Sequence, residues 1–325
     1  MLAPRTPDPE LVGIARLASL SPVVEAKRQV EYFELDSRSI LNRCSSPRMP
    51  FPWTINPYRG CEFGCQYCYA RYTHEFMELH DGLLFEQKIY AKARAAEILR
   101  QELRRRPHGE IAIGTSTDPY QPAERRFGVT RSILEVFAGE RGRALSITTK
   151  GNLIERDIDV LTRIARANTL HIAITITTTD AALARKLEPL APRPDLRLAA
   201  VARLAAAGLS VGVNLMPALP GITDGVASLD AVAREAARAG ARFLRGGILF
   251  LMPSAQKQFF PFLDREFPQL AARYRARFAH SPYLRGEYAE MIRERLTRIR
   301  ARHGLASSPS EYTPELAEEQ MTLFR

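Results

Sequence analysis

Between residues 53 and 251, short apolar runs alternate with amphipathic stretches. Segments 53–58, 110–115, 144–149, 170–177, 210–216 and 242–251 are brief and mostly apolar, and they read as strands. Segments 87–105, 132–141, 155–167, 199–207 and 228–239 space their apolar residues as one helix face, with charged residues between. Alternation of this kind predicts a parallel sheet wrapped by helices, closed toward a barrel or left open and doubly wound. The flanks differ. Residues 1–50 are Pro-rich at first, then carry some helix or strand character over 22–36, and read as an arm. Residues 51–255 form the core, 256–305 a polar helical extension, and 306–325 an acidic, flexible tail.

The predicted strands share a second feature: each begins apolar and finishes polar. The second runs into Gly114-Thr115-Ser116-Thr117-Asp118-Pro119-Tyr120-Gln121-Pro122 and the third into Thr148-Thr149-Lys150-Gly151-Asn152. The fourth carries Thr175, Thr177 and Thr179, and the fifth ends in Asn214-Leu215-Met216-Pro217. In parallel α/β folds, functional residues gather at the C-terminal ends of the strands.

After the first strand comes Asn56-Pro57-Tyr58-Arg59-Gly60-Cys61-Glu62-Phe63-Gly64-Cys65-Gln66-Tyr67-Cys68-Tyr69. Three thiolates at Cys61, Cys65 and Cys68 can hold three irons of a cubane iron–sulfur cluster, whereas ordinary electron-transfer clusters use four cysteines. The fourth iron then stays open to a small molecule, because the chain's only other cysteine is Cys44. A zinc site completed by His74 or His80 is the alternative, although zinc loops favour closer cysteine pairs. Disulfides fit poorly in a chain that begins without a secretory signal.

Charge adds a partner class. The 46 Lys and Arg residues against 36 Asp and Glu leave a net charge of +10. That balance suits a polyanion such as nucleic acid, though an arginine-rich proteome gives the same excess. Arg104-Arg105-Arg106 reads as a solvated helix end. The apolar runs are too short to span a bilayer, so the expectation is a cytoplasmic protein with no membrane partner.

The cysteine run resembles the cluster loop of radical S-adenosylmethionine (SAM) enzymes. Over about 52–253 the chain also resembles the spore photoproduct lyase, or DNA repair photolyase-like, family. The resemblance implies an α/β fold built as an incomplete (β/α)6 radical-SAM barrel with an N-terminal arm and a helical C-terminal extension. It implies a [4Fe-4S] cluster on Cys61, Cys65 and Cys68, with SAM chelated by the open iron and a flavodoxin- or ferredoxin-type electron donor. Carried over residue by residue, Gly114, Thr115, Ser116 and Thr117 cup the SAM amino group. Lys150 reaches the carboxylate or ribose, and Thr175 or Thr177 bonds the ribose. Tyr67 and Asn214 join this cofactor site. Glu188 and Arg197 fall in a stretch where the arginine pairs with the SAM carboxylate; a helix-surface ion pair is the plain alternative.

One position departs from the family. Thr115 stands where spore photoproduct lyase has the cysteine that returns a hydrogen atom, and a threonine O–H bond is too strong for that task. Tyr69, which matches a family aromatic position, becomes the candidate relay. Cys44 serves only if the arm folds over the barrel mouth. The implied reaction is hydrogen-atom abstraction from nucleic acid, in a DNA-repair context; the alternatives are a protein, peptide or metabolite substrate, or a non-catalytic cluster-bearing nucleic-acid-binding module. At the C-terminus, Gln320, Leu323 and Phe324 form a Gln-x-x-Leu-Phe segment that resembles the peptide by which repair proteins dock on the bacterial sliding clamp.

Overall fold

The computed structural model describes residues 10–309, apart from 22, 28–29, 47–48 and 106. Gln320, Leu323 and Phe324 lie outside the described residues. The strands are β1 (Val23–Lys27), β2 (Val30–Leu35), β3 (Leu41–Arg43), β4 (Trp53–Ile55), β5 (Tyr58–Arg59), β6 (Lys88–Lys92), β7 (Ile111–Ile113), β8 (Ala144–Thr149), β9 (Thr169–Thr175), β10 (Ser210–Ala218) and β11 (Leu244–Ile248).

The larger sheet has the order β11-β10-β9-β8-β7-β4-β3. Six of its strands, β4 to β11, run parallel in chain order, and β3 closes one edge antiparallel to β4. A doubly wound sheet reverses its strand order part-way; this one never does, so the architecture is the incomplete (β/α)6 barrel. Along each strand the two faces divide the labour. Leu145 and Ile147, Leu170, Ile172 and Ile174, and Val211, Val213 and Leu215 are buried in one core with the helix residues Val201, Leu204 and Val232. The alternate residues face the lumen. Across β8, β9 and β10 they pair as Ser146, His171 and Ser210, and one layer higher as Thr148, Ala173 and Gly212. This inner face is polar or small, so the interior keeps room for ligands. Phe243 fills part of it, and a Cβ at Gly212 would lie 2.4 Å from its ring.

Two regions depart from the sequence expectation. Segment 87–105 is not one helix. It begins as β6, and the helix Ala95–Leu103 starts only after Arg94, which adopts a left-handed φ of 57°. Pairing with β2 and β5 captures Ile89 and Tyr90, whose shapes suit a strand. The residues read as an arm supply β1 and β2 to a second sheet of order β1-β2-β6-β5, and β3 to the barrel sheet. Cys44 therefore does not reach the barrel mouth. Its N–H donates to Pro52 O at 2.7 Å, at the start of β4, while the polar strand ends lie at the opposite pole. Among the described residues no helix is long and apolar enough to cross a membrane.

The lumen contact gives a stability test. Gly212→Ala should cost about 1–3 kcal/mol through overpacking against Phe243, whereas Gly225→Ala, with nothing within 4 Å of its Cβ, should change stability by less than about 0.5 kcal/mol. Urea denaturation of the two variants measures the difference.

Candidate active site

The small sheet delivers the cysteine loop. Strand β5 leads into Gly60, whose φ of 79° and close approach to β6 exclude a side chain: a Cβ there would sit 2.5 Å from Lys88 O. Gln121 then clamps the loop from both sides, donating from Nε2 to Gly60 O and accepting the Glu62 N–H, each at 3.0 Å. Cys61 N–H donates to Phe85 O at 2.8 Å. The fully buried Arg71 donates to Cys65 O at 2.9 Å and pairs with Glu86. Tyr32 of β2 donates to Glu62 Oε2 at 2.7 Å, so the N-terminal segment also braces the loop.

Cys61, Cys65 and Cys68 are free thiols. They share an apolar pocket with Phe63, Tyr67, Leu251 and Phe259. Burial pushes all three thiols up, Cys65 to about 12. A bound metal must displace those protons. Among the described residues no three His, Cys, Asp or Glu side chains converge on a single-ion position. His74 Nε2 faces Lys88 O at 3.1 Å, and His80 pairs with Glu78 at the surface. Neither histidine therefore stands free to complete a zinc site, and three free thiols on one loop suit a cubane, which spreads its thiolates over three irons.

Opposite the loop stand the polar strand ends. Asn56 Oδ1 accepts the N–H groups of Ser116 at 2.8 Å and Thr117 at 3.3 Å, which fixes the turn after β7. Gly114 opens that turn at φ 86°, where a Cβ would meet Thr148 O at 2.4 Å. Asp118 ties this turn to the next strand end, accepting from Thr149 Oγ1 at 2.5 Å and Lys150 N at 2.7 Å. Thr115 and Ser116 are half-buried. Thr117 is buried, and its hydroxyl donates to Tyr58 O. Tyr69 donates its phenol proton to Thr115 O, so these two expected site residues touch. Thr175, Asn214 and Arg245 are register partners on neighbouring strands and form one row on the inner face. Asn214 Oδ1 is buried without a hydrogen-bond partner among the described residues, an acceptor that a cofactor donor can satisfy.

Behind the loop lies a buried ion pair. Arg197 Nη2 meets Glu188 Oε2 at 2.6 Å, with side-chain exposures of 1% and 0%. Glu188 also accepts from Tyr67 OH and, at 3.3 Å, from Thr177 Oγ1. Arg197, expected at the SAM carboxylate, has its other two nitrogens on Pro192 O at 2.7 Å and Thr175 O at 3.0 Å. The pair does form, but inside the protein rather than on a helix surface. Burial would raise the Glu188 pKa, yet Arg197 and Lys150 outweigh it and hold the carboxylate below its ordinary value. Lys150 Nζ lies 5.7 Å from the centre of the Tyr67 ring. Burial alone would lower its pKa; Cys65, when ionised, and Glu188 reverse that and raise it. Among the described residues it has no ion pair.

The Radical SAM superfamily model matches residues 55–235. The chain belongs to the radical SAM superfamily. Radical SAM proteins use a [4Fe-4S] cluster and SAM, and both are this chain's cofactors. The uncharacterized protein Rv2578c of Mycobacterium tuberculosis is 35% identical over 98% of this chain and 95% of its own length. The uncharacterized protein MJ0683 of Methanocaldococcus jannaschii is 25% identical over 60% of this chain and 71% of its own. Among solved structures, a spore photoproduct lyase shares the fold with a TM-score of 0.61 at 15% identity, over 84% of this chain and 79% of that one. SuiB of Streptococcus suis, bound to the precursor peptide SuiA, reaches 0.52 at 14% identity, over 82% of this chain and 50% of that one.

Asn56, Asp118, Gln121 and Arg71 were not among the expected site residues, although they hold both halves of this radical SAM site in place. Three of them lie inside the quoted motifs, but their partners are remote in sequence.

Anaerobic reconstitution should give an EPR signal of one [4Fe-4S] centre that Cys61→Ala, Cys65→Ala or Cys68→Ala abolishes and Cys44→Ala retains. Arg197→Ala should cost about 3–5 kcal/mol by stranding a buried charge, seen in urea denaturation of the apoprotein. Lys150→Ala should cost far less stability while raising the SAM dissociation constant about tenfold, the loss of one charge-assisted contact.

Proposed function

We propose that this radical SAM enzyme abstracts a hydrogen atom from a nucleic-acid substrate, DNA in a repair context. The observation that carries the reading is the shared fold with spore photoproduct lyase, one structure of which holds AdoMet and a dinucleoside spore photoproduct. The net charge of +10 supports it. So does Arg245, whose half-buried guanidinium faces the lumen with no hydrogen bond or ion pair among the described residues, free for a phosphate. A peptide substrate has in its favour only the weaker likeness to SuiB.

Cys61, Cys65 and Cys68 would hold the cluster, which would supply one-electron reductive chemistry on bound SAM. The chain's own residues then bind and orient. Lys150 is assigned to the SAM carboxylate, the Gly114–Thr117 turn to the amino group, and Thr175 and Asn214 to the ribose. Arg197 positions Glu188 and, through it, Tyr67. Tyr69 is assigned as the hydrogen-atom relay in place of a thiol. Clamp docking through Gln320, Leu323 and Phe324 belongs to the same proposal and rests on their spacing.

The test is 5′-deoxyadenosine formation by reconstituted protein with SAM and dithionite, with and without irradiated DNA. DNA should raise the yield, and the DNA affinity should fall steeply with salt. With Thr115 in the donor position, multiple-turnover reversal of spore photoproduct should be absent. A yield indifferent to DNA, or affinity indifferent to salt, contradicts the reading.

A further inference from the structure

The small sheet has two faces. Ile89 and Ala91 of β6 enter the main core with Tyr32 and Tyr58. Tyr90 enters a smaller cluster on the other face, with Phe33, Leu35, Ala18 and Met77. Alternation along β6 puts Lys92 on that second face, and the pairing of Arg59 with Tyr90 puts Arg59 there as well. Lys92 is 5% exposed, and its register partner Leu35 is fully buried. Arg59 is half-buried. Among the described residues neither the Lys92 ammonium nor the Arg59 guanidinium has a hydrogen bond or an ion pair, and Arg59 Nε is buried without a partner.

Two unpaired cations in an apolar layer are costly, because a buried charge is normally paired. The acids around them are engaged elsewhere. Glu31 pairs with Lys88 at 3.9 Å, and Glu86 pairs with Arg71. Glu102 accepts from Ser39 Oγ at 2.5 Å, Ile40 N at 3.2 Å and Leu41 N at 2.9 Å. His74, whose ring lies 6.2 Å from that of Tyr90, supplies no charge: burial outweighs its bond to Lys88 O and, with Arg59, holds it down at about 4. Burial, and after it Arg59, push Lys92 down to about 7 against the pull of Glu102. The protein itself therefore leaves this pair of cations without an anion.

The donor set narrows what that anion is. A carboxylate is satisfied by the fork of one guanidinium, whereas a phosphoryl dianion offers three oxygens and two charges, which match a guanidinium and an ammonium together. The depth of Lys92 keeps it from the backbone of a duplex, so the phosphate is a terminal one.

We propose that Arg59 and Lys92 form an anion site on the second face of the small sheet that takes a phosphate monoester, borne by a small molecule or by the 5′ end of a nucleic-acid strand. It stands apart from the SAM positions at the barrel strand ends and does not depend on the nucleic-acid reading. No bond is made or broken there.

The probes are inorganic phosphate and a dT oligomer with and without a 5′-phosphate, titrated calorimetrically and anaerobically against the reconstituted full chain at matched ionic strength. Inorganic phosphate should bind with a dissociation constant of about 1 mM or tighter. Lys92→Met and Arg59→Met should each weaken it about tenfold or more, the loss of one charge-assisted contact. Arg245→Gln, which removes the guanidinium of the lumen, should retain it. Without phosphate, Lys92→Met should melt no lower than the wild type, because an unpaired buried charge has been removed; this separates a lost site from a lost fold. Tighter binding of the 5′-phosphorylated oligomer, an increment lost in Lys92→Met, upholds the site and assigns the phosphate to a strand end. Equal binding of the two oligomers, with phosphate binding intact, upholds it and assigns the phosphate to a small molecule. No saturable binding of phosphate to the wild type, undiminished binding in both methionine variants, binding lost in Arg245→Gln, or a Lys92→Met protein that melts well below the wild type overturns the proposal.

Discussion

The Glu188–Arg197 ion pair is what the rest of the site leans on. Two charges this deeply buried are costly unless every lone pair and N–H has a partner. Here Tyr67 and Thr177 both donate to Glu188 Oε1, Arg197 faces Oε2, and Thr175 O and Pro192 O accept from the other guanidinium nitrogens. Those partners belong to different parts of the site: Tyr67 to the cysteine loop, and Thr175 and Thr177 to the end of β9. One network therefore links the loop to the strand ends. The cysteine loop and the polar row on the inner face are held together through this pair.

The second brace comes from the small sheet. Tyr32, Gly60 and Gln121 set where the loop leaves β5 and how tightly it turns. The barrel supplies strand ends, the small sheet supplies the loop, and the buried pair joins them. The inner face of the barrel bears polar row residues such as Thr175 and Asn214.

Much of this was legible in the sequence where the signal was local. The C-x3-C-x2-C spacing lies within eight consecutive residues, and the six barrel strands announce themselves by apolar runs with polar ends. What the sequence hid was long-range. The strand Lys88–Lys92 reads as helix until β2 and β5 pair with it. Residues 30–35 read as part of an arm because their partner strand lies more than fifty positions away. Glu188 and Arg197 were visible as a pair, but not their burial, which depends on Tyr67 arriving from the loop. Gln121 gave no sign that its amide would clamp that loop. Thr115 shows the reverse: a single local departure from the family it resembles, plain in the sequence, that leaves the fold unchanged.

The central claim is that three cysteines leave one iron open and that this iron holds SAM. Electron–nuclear double resonance on the reduced protein, loaded with SAM labelled at the carboxylate and amino groups, measures it directly. The account predicts hyperfine coupling from both labels to the cluster. A reduced [4Fe-4S] signal with bound SAM and no coupling from either label would contradict it.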